Sequence, residues 1–118
     1  MLLEKLNAKE GTHLQYLTPE LLFLAKSGQP YRGVVYISYT TLGESFNLLD
    51  FKKYITSLRS QTFLAEDIAY EIYNTIDNSI KSKNLGVVVD LSARGGIQQR
   101  VAFGTPFEVI QKSNIFQM

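Results

Sequence analysis

The sequence predicts one α+β domain, an antiparallel sheet with two helices on one face in the chain order ββααββ. Three observations lead there. The middle of the chain carries two apolar stripes at helical spacing: Leu48, Phe51, Ile55 and Leu58, then Ile68, Ile72, Ile76 and Ile80. On either side, apolar and polar residues alternate with period two, over 34–39 and again over 87–103. Glycine and proline fall where hairpins need them, at Ser27-Gly28-Gln29-Pro30 and Arg94-Gly95-Gly96.

Residues 1–118 read as a single domain, of which 1–23 carry the least regular pattern. His13-Leu14-Gln15-Tyr16-Leu17 reads as a short first strand. Thr18-Pro19-Glu20-Leu21 then reads as a helix start, with Thr18 as N-cap and Pro19 in the first turn. In the next strand Val35, Ile37 and Tyr39 share one face and Val34, Tyr36 and Ser38 the other. Bulk on both faces predicts an inner strand. Asn47 is placed to cap the first helix, which has Asp50, Lys53 and Ser57 on its polar side. A short connection at 60–63 leads to the second helix. Glu66 and Asp67 stand in its first turn and Lys81 and Lys83 near its end, as the helix dipole favours. In the closing hairpin Val87, Val89 and Leu91 alternate with Val88, Asp90 and Ser92. Beyond the Arg94-Gly95-Gly96 turn, with Arg94 solvated, Ile97, Gln99, Val101 and Phe103 alternate with Gln98, Arg100 and Ala102, until Pro106 ends the run.

Neither outer strand of this sheet is loaded with charge or proline, and bare edges invite pairing. Only 19% of residues are charged, few for a monomer's surface. Together these predict a cyclic homo-oligomer whose strands close into a ring, with pockets between subunits.

Composition excludes several chemistries. A formal charge of +1 argues against a basic nucleic-acid module. With no cysteine there is no thiolate nucleophile, disulfide or thiolate metal site, and His13, the one histidine, rules out a multi-histidine site. No run of about 18 apolar residues is present to span a membrane. The start, Met1-Leu2-Leu3-Glu4-Lys5, does not resemble a secretory signal, so a cytoplasmic location is expected.

From about Leu24 to Gly104 the chain resembles, without a gap, the QueF-type 7-cyano-7-deazaguanine reductases of the tunnelling-fold (T-fold) group. The residues that carry the resemblance are Ser27-Gly28-Gln29-Pro30, Tyr36-Ile37-Ser38-Tyr39, Tyr54-Ile55-Thr56-Ser57-Leu58-Arg59, Ala65-Glu66-Asp67 and Ala93-Arg94-Gly95-Gly96. The resemblance implies a T-fold barrel of several copies and NADPH-dependent reduction of a nitrile through a cysteine thioimide. It also shows where this chain departs. The family's cysteine falls on Leu24, its proton-relaying aspartate on Tyr31 and its histidine on Ala65. The cofactor helix motif Glu-Ser-Lys-Ser-x-Lys falls on Asn47-Leu48-Leu49-Asp50-Phe51-Lys52, where Lys52 alone is kept.

Glu66 is retained. In T-fold proteins this carboxylate accepts hydrogen bonds from the ring N–H and exocyclic amine of a guanine-like base, a charge-assisted and directional pairing. The sequence therefore points to a purine- or pterin-binding protein of queuosine or 7-deazapurine metabolism. Glu66, Tyr31 and Leu24 are its candidate ligand contacts, with Lys52 and Arg59 as candidate cofactor-binding residues that would meet phosphate. No catalytic residue or metal is assigned. On spacing alone Glu66 reads as dipole complementation and Lys52 and Arg59 as solvated helix faces, and Tyr31 reads as stacking on a ligand ring or as ordinary packing. The alternative is an active T-fold enzyme, either a reductase that uses NADPH by a modified route or a metal-free pterin aldolase or epimerase. The latter would draw on Glu66, Lys52 or Lys53, and Tyr31 or Tyr54.

Overall fold

The structure, a computed structural model, describes residues 1–109. Its strands are β1 (Lys5–Asn7), β2 (His13–Leu24), β3 (Pro30–Thr41), β4 (Glu44–Phe46), β5 (Ser82–Arg94) and β6 (Ile97–Gly104). Helices α1 (Leu48–Ser57) and α2 (Ile68–Ser79) lie between β4 and β5. The main sheet is antiparallel in the order β2-β3-β5-β6, so the strand with bulk on both faces is an inner one.

Register explains the layering. Tyr16, Ile37, Val87 and Phe103 stand opposite one another in a row across all four strands, and Thr18, Val35, Val89 and Val101 form the next row. These rows face the helices. The stripe Ile68, Ile72 and Ile76 is fully buried against them, as are Phe51, Ile55 and Leu58 from the α1 side. The opposite rows, such as Leu17, Tyr36, Val88 and Ala102, lie on the face without helices. The fold class read from sequence, two helices on one face of an antiparallel sheet, is the one observed.

The helix expected from Thr18 does not form. β2 runs straight through it, because Leu21 and Phe23 bury at a spacing of two, which an extended chain satisfies and a helix does not. Pro19 sits in a register shift between Thr18 and Leu21 on an edge strand, where its missing N–H breaks no ladder bond. The Thr18 hydroxyl accepts from the Glu20 N–H at 3.2 Å, a local turn in place of a cap. This also changes the edge argument, since one outer strand does carry a proline.

Three smaller differences bear on the site. Leu48 begins α1 but is 60% exposed, outside the core stripe. Glu66 and Asp67 belong to a separate 3₁₀ turn, Ala65–Asp67, ahead of α2. Residues near the N-terminus add a second small sheet in which β1 pairs with β4, while the Leu3 N–H donates to Ser79 Oγ at 2.8 Å. The Asn47 cap is as expected, its side chain accepting from the Asp50 N–H at 3.1 Å.

Candidate ligand site

Leu24 and Tyr31 lie at the end of the sheet where both hairpins turn. Gly28, at φ +87°, closes the β2–β3 turn, with the Ala25 N–H donating to the Gln29 carbonyl at 2.8 Å. Gly95 and Gly96 both have positive φ, the backbone that a two-residue hairpin turn following the strand twist requires. Arg94, expected to be solvated, is half-buried and ties the two turns together. It donates to the Pro30 carbonyl at 3.1 Å and to Gln29 Oε1, and its guanidinium lies 4.4 Å over the Tyr31 ring.

Tyr31 is itself stacked on Phe23, with centroids 5.1 Å apart and 20° between planes, and Phe63 meets Phe23 edge-on at 6.0 Å. A ligand ring would have to displace Arg94 to stack on Tyr31 over the same face. Leu24 is fixed by its backbone. Its N–H donates to the Gln61 carbonyl at 2.9 Å and its carbonyl accepts from the Phe63 N–H at 3.0 Å.

Glu66 stands on the other side. Its exposed carboxylate accepts from Gln99 Nε2 on β6 at 3.1 Å. Its pKa lies below the ordinary glutamate value, first because its own backbone N–H donates to it and then because Gln99 does. The group is an ionised acceptor at neutral pH. Leu24 on β2 and Gln99 on β6 are at opposite edges of the sheet, three strand spacings or about 14 Å apart across it and offset along it, since Gln99 lies in the row of Leu91, Gly33 and Leu21. One chain thus brings Leu24, Tyr31, Phe23, Phe63 and Arg94 together, while the carboxylate of Glu66, three residues beyond Phe63, reaches Gln99 on β6.

The two candidate cations are elsewhere. Lys52 lines a groove of about 300 Å³ between α1 and β2, with Tyr16, Pro19, Leu48 and Ile55. Arg59 pairs with Glu20 at 3.6 Å, a largely exposed contact of small energetic weight. Sequence reasoning overlooked Gln99 as the partner of Glu66. The signal was present: Gln99 is a polar residue on the otherwise apolar side of the β6 alternation.

Comparison with known proteins decides the family. A sequence model described as QueF-like protein matches residues 30–107. The chain belongs to the QueF-like family. Two curated relatives are NADPH-dependent 7-cyano-7-deazaguanine reductases. The one from Sulfurimonas denitrificans is 32% identical over 72 residues, 61% of this chain and 58% of that protein. The one from Wolinella succinogenes is 32% identical over 89 residues, 75% of this chain and 67% of that protein. The matches thus span between half and two-thirds of these relatives. Among solved structures, the apo crystal structure of an archaeosine synthase QueF-Like superposes with a TM-score of 0.70. It is 18% identical, and the match covers 83% of this chain and 95% of that one. That likeness establishes the fold, so this QueF-like chain is a T-fold protein. No helix of its described residues is long and apolar enough to cross a membrane.

Proposed function

We propose that this QueF-like chain binds a purine- or pterin-like base through Glu66, in a pocket completed by a second copy, and does not form a thioimide. The observation that carries the reading is the Glu66 carboxylate. It is exposed at the β6 edge, held by Gln99, and kept ionised by the hydrogen bonds that lower its pKa. Such an acceptor suits a base edge presenting two adjacent N–H donors, and it disfavours bases that would leave it unpaired. In this reading β6 of one copy pairs with β2 of the next, which brings the next copy's Leu24 and Tyr31 to the edge that holds Glu66. A closed ring of strands does this for every copy.

At the nucleophile position Leu24 offers no attacking atom, and Tyr31 lies under Arg94. The residues of α1 do not fit a nicotinamide dinucleotide phosphate. Asn47 and Asp50 are spent on local hydrogen bonds, the latter accepting from the Glu4 N–H at 2.8 Å. Leu48 and Leu49 stand exposed, which leaves Lys52 and Lys53 as the cations of this helix for several phosphate charges. The aldolase alternative gains nothing from the geometry, since the Tyr54 hydroxyl donates to Glu71 at 2.7 Å. The chain then serves 7-deazaguanine metabolism in the cytoplasm as a base-binding or regulatory protein.

Titration calorimetry with 7-cyano-7-deazaguanine, guanine and a pterin tests this. At least one binds the wild type, and Glu66→Gln weakens that binding by about 10- to 100-fold, the worth of a charged hydrogen bond. Binding by none, or binding indifferent to the substitution, overturns the base pocket. NADPH oxidation driven by the nitrile overturns the loss of reduction.

A further inference from the structure

At the end of the sheet away from Glu66, on the face without helices, a cleft of about 540 Å³ opens. That volume lies within the usual range for small-molecule sites. Its floor is polar: His13 and Gln15 from β2, Ser38 and Thr40 from β3, and Asn84 from β5. Its wall is the segment Thr105, Pro106 and Phe107, which leaves β6 and folds back.

The cleft is built by specific backbone choices. Two glycines let the wall approach β5. A Cβ on Gly86 would collide with the Thr105 carbonyl and stand 2.9 Å from the Phe107 ring, and one on Gly104 would collide with the Leu85 carbonyl. The Thr105 N–H then bonds the Leu85 carbonyl at 2.8 Å. Asn84 is the one non-glycine residue among those described with positive φ, at 59°, where the β3–β5 register shifts. Asparagine is among the residues that tolerate this conformation best. His13 Nδ1 is engaged with Thr40 Oγ1 at 2.8 Å, so its Nε2 is the nitrogen left for a ligand.

The chemistry of the lining selects a ligand class. His13 is its one histidine, and it includes no Asp, Glu, Lys or Arg, so a charged ligand meets no carboxylate, ammonium or guanidinium there. The side chains of Gln15, Ser38, Asn84 and Thr105 make no hydrogen bond among the described residues, so donors and acceptors stand unspent on one side of the cleft. Phe107 offers an apolar ring on the other. Hydroxyls that hydrogen-bond on one side and C–H groups that pack on an aromatic ring on the other describe a neutral sugar. We propose that this cleft is a second binding site, independent of Glu66, for an uncharged furanose or pyranose ring.

Ligand-observed saturation-transfer NMR on the full chain, with methyl β-D-ribofuranoside and methyl β-D-glucopyranoside at millimolar concentration, tests it. At least one glycoside receives saturation. His13→Ala and Asn84→Gly each weaken its binding about fivefold, the loss of one hydrogen bond, with the circular-dichroism spectrum unchanged. Asn84→Gly removes the side chain while keeping the backbone conformation accessible. Glu66→Gln leaves the signal as it is, which separates this site from the base pocket. Absence of transfer from both glycosides, transfer insensitive to both cleft variants, or stronger binding of ribose 5-phosphate than of the neutral glycosides overturns the proposal.

Discussion

The two outer strands of the sheet are built differently. On β2, Leu21 and Phe23 are wholly buried, Pro19 and a register shift interrupt the ladder, and the backbone groups of Leu24 are taken up by Gln61 and Phe63. On β6 the helix-facing residues are only partly covered, Phe103 being 43% exposed, and the ladder with β5 is regular from Gln99 to Gly104, its register shift falling at the hairpin end. One edge is sealed at its upper half and the other is open. The open edge holds Gln99 and through it Glu66. The Glu66 carboxylate thus sits at the side of the sheet that is left open, and Leu24 and Tyr31 sit where the chain has closed on itself.

The largest test of that contrast is to block the open edge alone. The Thr105 N–H to Leu85 carbonyl bond marks Gly86 and Gly104 as a non-hydrogen-bonded pair. Alternation then points the Ala102 N–H away from β5. Ala102→Pro removes an outward donor while sparing every β5–β6 bond. Sedimentation velocity should show the proposed ring lost, with the proposed base binding lost alongside it and the circular-dichroism spectrum kept. A ring that survives means that β6 is not the closing edge.

Within the folded chain, burial predicts the next difference. Phe23→Ala removes a ring that stacks on Tyr31 and meets Phe63, and should cost about 3–5 kcal/mol. Phe103 packs edge-on against Tyr70 and Tyr73, each at 4.9 Å, yet stays partly in water, so Phe103→Ala should cost about 1 kcal/mol in dilute, dissociated protein. Urea unfolding of the two variants reads both. Equal costs would erase the distinction between sealed and open edges.

Much of this was legible in the sequence because local patterns and tertiary burial agree there. Ile68, Ile72 and Ile76 make one helical stripe and all are buried. Gly95 and Gly96 demand a tight hairpin and form one. The failure at Thr18 has a physical cause: Thr-Pro-Glu is locally a helix start, but burial of Leu21 and Phe23 overrides a cap worth about 1 kcal/mol. The β1–β4 pair was invisible because three-residue strands are too short to show a period. Of the site, Glu66 was readable from its place in a motif, while its partner Gln99 is 33 residues away and met only through the fold. Arg94 reads as turn chemistry from sequence, and its place over Tyr31 depends on two hairpins ending side by side.

The smallest expected effect concerns the acidity of Glu66 itself. A carboxylate whose folded pKa is depressed adds stability that is complete above its unfolded value and is lost as pH falls through the folded one. For an exposed group that contribution is slight, so the pKa is better read directly, by NMR titration of the Glu66 carboxyl carbon. Gln99→Leu removes the second of the two causes and leaves the first, the backbone N–H of Glu66. The pKa should therefore rise only part of the way towards the ordinary glutamate value. Base affinity should stay flat through neutral pH in both proteins, and its acid limb should begin at higher pH in Gln99→Leu. An unshifted titration would mean that the open edge does not hold its acceptor through β6, and that Glu66 depends on the 3₁₀ turn alone.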